Sequence, residues 1–166
     1  MHQPTQRYRV CGLGAGLAVC LTTAAVAVAA AAPTTIGTAS NAKLGRILVS
    51  AHGRTLYMFS RDSHGRSSCS GSCTDRWIPV LGSRVAAKRG SGVKSALLAT
   101  SRRSSGNLQA TYNGHPLYEF SGDRSAGTTA GEGASEFGGR WYAVNTSGNE
   151  VKPKSSSRCD PVCSGY

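Results

Sequence analysis

Acidic residues are scarce in this 166-residue chain: 8 Asp and Glu stand against 19 Lys and Arg. Aromatic residues are few, at 7%, and do not interleave with the basic ones. Lys and Arg occur singly or in pairs (Lys88-Arg89, Arg102-Arg103), so the composition disfavours nucleic acid as a partner. There is no Ser-His-Asp order, no close Glu pair and no His-rich cluster, which disfavours a hydrolase. Charge is missing altogether from Val10 to Ala32, a run of Gly, Ala, Leu, Val, Thr and Cys.

That uncharged run follows Arg7 and Arg9 and contains Ala27-Val28-Ala29 as a cleavage signal, so residues 1–32 read as a secretory signal peptide. Two alternatives stay open. The run is long enough for a retained membrane anchor, and Leu17-Ala18-Val19-Cys20 has the outline of a lipidation site at Cys20. Gly12 to Gly16 lies inside this segment with no strand before it and is not a nucleotide loop. Export leaves 17 of the 19 basic residues and all 8 acidic ones, a charge of 17 − 8 = +9. Such a balance suits anionic partners such as wall polymer, lipid headgroups or nucleic acid, but by itself it is better read as a solvated basic surface. It also leaves four cysteines, Cys69, Cys73, Cys159 and Cys163, an even count in an oxidising compartment.

The remaining chain is organised around a repeat. Gly53-Arg54-Thr55-Leu56-Tyr57-Met58-Phe59-Ser60-Arg61-Asp62 matches Gly114-His115-Pro116-Leu117-Tyr118-Glu119-Phe120-Ser121-Gly122-Asp123 at six positions, offset by 61. Each copy reads as the second strand of a β-hairpin, followed by a long small-residue loop and an Arg-Trp strand: Arg76-Trp77 and Arg140-Trp141. The fold class is therefore all-β, two pseudo-repeated β-hairpin plus Trp-strand units in one domain with long Gly/Ser loops. The boundaries are 33–43 for a flexible lead-in, 44–90 for repeat one, 99–150 for repeat two and 151–166 for a Ser/Lys tail with a cysteine pair.

In repeat one, a turn at His52-Gly53 pairs Val49 with Leu56 and Ile47 with Met58 on one face, and Leu48 with Tyr57 and Arg46 with Phe59 on the other. In repeat two, Asn113-Gly114 is a strong hairpin signal; it sets Ala110 against Leu117 and Gln109 against Tyr118. Pro116 lacks an N–H, which requires a sheet edge or bulge there. Both faces of each hairpin are apolar, so both need cover. Residues 90–98 read as a helical turn and 99–102 as a strand.

The pairs Tyr57-x4-Asp62 and Tyr118-x4-Asp123 resemble a secreted-repeat family named for its Y-x4-D motif, exported bacterial proteins, often lipoproteins, of unknown function. Cys69-x-Gly71-x-Cys73 with Trp77 and Pro79, Thr111 to Tyr118, and Gly138 to Tyr142 carry the resemblance further, over roughly residues 44–147. It implies an exported bacterial protein and supplies no reaction or ligand.

Tyr57, Asp62, Tyr118 and Asp123 are the ligand-binding candidates: a Tyr hydroxyl and a carboxylate at a loop mouth suit a polar ligand or a cation. The plainer reading is a packed aromatic with a turn-capping carboxylate. Asp62, His64 and Met58 are the candidate metal ligands, and the four cysteines could form a thiolate zinc site or a redox or copper site. His52 and His115 sit at turns. Structural disulfides are preferred. A local Cys69–Cys73 ring contributes about 2 kcal/mol, against about 4.6 for a bridge spanning roughly 90 residues. The resemblance nevertheless favours Cys69–Cys73 and Cys159–Cys163, because the family pattern holds the first pair without the second.

Function follows as an exported cell-envelope protein, a non-catalytic module binding an anionic wall polymer or an envelope protein, with no cofactor. The alternative is a metal-binding or electron-transfer accessory protein using copper or zinc. The membrane is reached only through an uncleaved signal or a lipid anchor.

Overall fold

The computed structural model describes residues 33–88 and 91–151. The expected signal peptide, with its anchor and Cys20 alternatives, and the Cys159–Cys163 tail lie outside them. Strands β1 (Thr34–Asn41), β2 (Gly45–Ser50) and β3 (Leu56–Phe59) come first. A short helix, α1 (Ser72–Arg76), leads into β4 (Trp77–Pro79) and then β5 (Val85–Ala87). A 3-10 turn (Ser95–Leu97) opens the second half, followed by β6 (Leu98–Arg102), β7 (Leu108–Tyr112), β8 (His115–Pro116), β9 (Tyr118–Phe120), β10 (Ser135–Glu136) and β11 (Gly139–Ala143). The all-β repeat architecture is thus what the chain adopts, and no described helix is long and apolar enough to cross a membrane.

The five-stranded sheet runs β10-β11-β3-β9-β4. At its centre the two Tyr strands pair antiparallel, with Tyr57 opposite Tyr118. The Trp strands then exchange. Trp141 of repeat two lies opposite Phe59 of repeat one, and Trp77 of repeat one lies opposite Phe120 of repeat two. Matched backbone bonds continue the exchange: Val144 N donates to Leu56 O, and its twin Val80 N donates to Leu117 O. The halves are therefore related by a pseudo-twofold axis between Tyr57 and Tyr118, and each half completes the other's sheet.

This exchange corrects the expected hairpins. Each opens at its base, where the other repeat's Trp strand enters. Leu48 N donates to Val144 O, and Ile47 bridges Asn145. In the twin, Ala110 N donates to Val80 O, and Gln109 bridges Leu81. Gln109 consequently faces Leu81, not Tyr118.

Register in repeat one also differs from expectation. Ser50 N bonds Arg54 O and Val49 bridges Thr55, around a three-residue loop, Ala51-His52-Gly53. Gly53 takes φ 77, the left-handed position such loops require. One extra loop residue reverses the face assignment: Ile47 and Val49 join Tyr57 and Phe59 in one core, while Leu48 joins Leu56 and Met58 in the other. The Asn113-Gly114 turn matches expectation, with φ of 50 and 79 and Thr111 opposite Pro116. Strand β8 stands at the edge of its sheet, where the missing proline N–H costs nothing.

The lead-in is a strand, not a flexible segment. Strand β1 is rich in Thr, a β-former, and it ladders along the whole of β2, from Ile36–Ser50 to Asn41–Gly45. Ile36 is fully buried. All four residues of β3 are buried, and the two cores lie on its opposite faces, as two apolar faces demand.

Candidate functional site

The Y-x4-D residues meet across the repeats. Tyr57 donates to Asp123 Oδ2 at 2.6 Å, and Tyr118 donates to Asp62 Oδ2 at 2.8 Å. Antiparallel pairing of β3 with β9 carries each Tyr to the far copy's loop, not to the Asp of its own copy. The second carboxylate oxygens cap those loops. Asp123 Oδ1 accepts the Ala130 amide, and Asp62 Oδ1 accepts the Ser68 amide and hydroxyl. Asp123 is fully buried. Burial pushes the Asp123 carboxyl above its ordinary range, opposed by the bonds from Tyr57, Ala130 and Thr128. Burial raises Asp62 too, opposed by Ser68, Tyr118 and then the Arg103 charge. Desolvation foremost, with the adjacent carboxylates, lifts both tyrosines far above their usual value. The arrangement is a pair of inter-repeat staples. Its carboxylates are engaged on both oxygens.

Between the staples lies an aromatic stack. Trp77 and Trp141 are parallel, 3.9 Å apart at 3°. Phe59 stacks on Trp141, and Phe120 packs on Trp77. Tyr57 and Tyr118 meet Trp77 and Trp141 edge-on. Gly131 leaves room for this stack: a Cβ there would lie 2.8 Å from Trp77. Trp77 Nε1 donates to Glu136, which also holds Arg76 through both oxygens. Trp141 Nε1 is buried with no hydrogen-bond partner.

Cys69 and Cys73 form the expected disulfide, with Cα atoms 5.4 Å apart. Gly71, φ 59, turns the chain between them at the start of α1. His64 is exposed on a turn at φ 50. Met58 lines a hollow with His115, Asn149 and Glu150, of which His64 is not part. Among the described residues no three His, Cys, Asp or Glu side chains gather as a metal-binding group.

The sequence reading missed a basic shelf beside the disulfide. Arg66, Ser67, Arg102, Arg103 and Ser104 line one hollow. Two adjoining hollows extend it past Ser70, Thr74, Ser105 and Asn107, and no acidic residue lines any of the three. Arg103 is held in place: it donates to Ser67 Oγ, Gln109 Oε1 and the Cys69 carbonyl. Arg66 and Arg102 are exposed, and neither forms an ion pair among the described residues. The Arg102-Arg103 pair was the available signal, but its convergence with Arg66, about 36 residues away, depends on the fold.

No curated protein and no solved structure matches the chain. A family model described as a secreted repeat of unknown function matches it twice, over residues 38–81 and 99–145, one match to each half of the pseudo-twofold. Together these cover more than half of the sequence, so the chain belongs to that family of secreted repeats.

Proposed function

We propose that this secreted repeat is a non-catalytic binding module of the cell envelope, and that it grips an anionic wall polymer through the Arg66–Arg102–Arg103 shelf. The carrying observation is convergence: three guanidinium groups and a set of Ser, Thr and Asn side chains line contiguous hollows that hold no carboxylate. Guanidinium forks suit phosphate and carboxylate oxygens. Arg103 is preorganised by its protein bonds, so little of its freedom is lost on binding, while Arg66 and Arg102 supply charge. The open, shallow form suits a chain better than an enclosed small molecule. The Tyr118–Asp62 staple acts structurally, holding through Ser67 and Ser68 the loop from Ser63 to Asp75 that carries Arg66 and the disulfide.

Calorimetric titration with inorganic polyphosphate tests this. Binding weakens as salt rises, because exposed charges are screened. The double variant Arg66→Glu/Arg102→Glu binds at least about tenfold more weakly, from roughly 0.7 kcal/mol per reversed contact. Undiminished binding by that variant, or equal binding to a neutral polysaccharide, would overturn the proposal.

A further inference from the structure

The pseudo-twofold relates two side-chain pairs that span the repeats. One is Arg54 with Glu119, an ion pair at 3.9 Å. Adding the 61-residue offset to Arg54 gives His115, and subtracting it from Glu119 gives Met58. Where one half places a cation beside an anion, the other places an imidazole beside a thioether. The two sit together in the folded chain, lining one hollow with Asn149 and Glu150. They share no residue with the arginine shelf.

A thioether is a poor hydrogen-bond acceptor and has no charge, so it cannot replace Glu119 as a partner. Its chemistry suits a soft cation, as does that of imidazole. Met58 is 9% exposed and belongs to the same buried cluster as Leu56 and Val144. Strand β8 places His115 opposite Tyr112, next to the Asn113-Gly114 turn. Glu150 also lines the hollow. The Cys69 and Cys73 thiols are consumed in the disulfide and do not compete.

We infer that Met58 and His115 form a binding site for monovalent copper.

The test uses the full chain with silver(I) as a redox-inert probe and with copper(I) under a competing chelator. The chain holds 2 methionines, and Met58 is the one outside the leader, so its methyl resonance reports this site alone even where tail cysteines also take metal. Met58→Leu, nearly isosteric, assigns that resonance. Silver(I) added beyond the equivalents taken by free thiols shifts the Met58 methyl signal, and His115→Asn weakens the affinity that this signal reports at least tenfold. Thermal melts of both variants confirm that they fold. The assignment is overturned if the Met58 methyl does not move at saturating silver, or if folded His115→Asn gives the same titration as wild type.

Discussion

The Tyr57 hydroxyl and the Asp123 carboxylate, 66 residues apart, meet at 2.6 Å, and Tyr118 and Asp62 repeat that contact at 2.8 Å on the other side of the pseudo-twofold. The motif that marks each repeat is therefore completed only by the other repeat. A single copy leaves its Tyr without that carboxylate and its Asp without the tyrosine donor, keeping only the loop bonds from Ser68 or Ala130. The motif is a device for joining two halves.

The two staples are unequal. Asp123 is fully buried, whereas Asp62 is partly exposed and keeps two bonds from Ser68. Tyr57→Phe strands a buried carboxylate oxygen and destabilises by about 2–3 kcal/mol; Tyr118→Phe costs about 1–2 kcal/mol. Urea unfolding of the two variants gives the order. In a double-mutant cycle, Tyr57→Phe with Asp123→Asn couples, while Tyr57→Phe with Asp62→Asn adds independently.

Alkaline pH attacks the same staples. An unfolded tyrosine ionises near pH 10; both folded tyrosines hold their protons well beyond that. The folded state thus binds more protons than the unfolded state above about pH 10, and stability falls as pH rises. Two such groups give a slope of about 2.7 kcal/mol per pH unit in that range. The contribution is complete below the unfolded value and is lost as pH climbs toward the folded ones. Unfolding free energies at several alkaline pH values measure the slope, and Tyr57→Phe/Tyr118→Phe removes it.

Turn and disulfide variants separate local from long-range support. Gly114→Val forces a β-branched residue to φ 79, and Asn113→Pro loses the amide bond to Leu97 O. Each costs more than about 1 kcal/mol. Replacing both Cys69 and Cys73 by Ser costs about 2 kcal/mol by loop entropy. It also loosens the Cys69 carbonyl that anchors Arg103, so polyphosphate binding falls with it. Thermal melts and the calorimetric titration read the two effects separately.

What the sequence made legible was local. Asn113-Gly114 announces its turn because that backbone geometry admits few other residues. The burial of both faces of Leu56–Phe59 follows from its unbroken apolar run. The exchange of Trp strands was not legible, because two copies of one motif give the same pattern whether they pair within a copy or between copies. The slip at Ala51-His52-Gly53 turns on a single loop residue that the matching offsets conceal. Strand β1 was hidden by its small side chains; its pairing with β2 comes from backbone bonds, and Ile36 is its one fully buried large side chain, with Ala39 packed against the other core. Arg66 and Arg103 converge only once Asp62 and Tyr118 have fixed the loop between them.

The tryptophans provide the sharpest test of the broken symmetry. Both rings are fully buried and stack on each other, so Trp77→Ala and Trp141→Ala each cost about 3–5 kcal/mol through lost packing. Their N–H groups differ. Trp77 Nε1 donates to Glu136, while Trp141 Nε1 is buried without a partner. Counting back five residues from each Trp finds Glu136 in repeat two but Ser72 in repeat one, at the start of α1 beside the disulfide. The disulfide turn occupies the place where a second acceptor would stand. Phe keeps much of the stacking and deletes the N–H. Trp77→Phe therefore takes a charged hydrogen bond from Glu136, whereas Trp141→Phe relieves an unsatisfied donor. With the loss of ring area common to both, Trp77→Phe is the more destabilising by about 1–3 kcal/mol. Equal unfolding free energies for the two Phe variants would show that Trp141 Nε1 is hydrogen-bonded in solution and that the two halves are more alike than their loops.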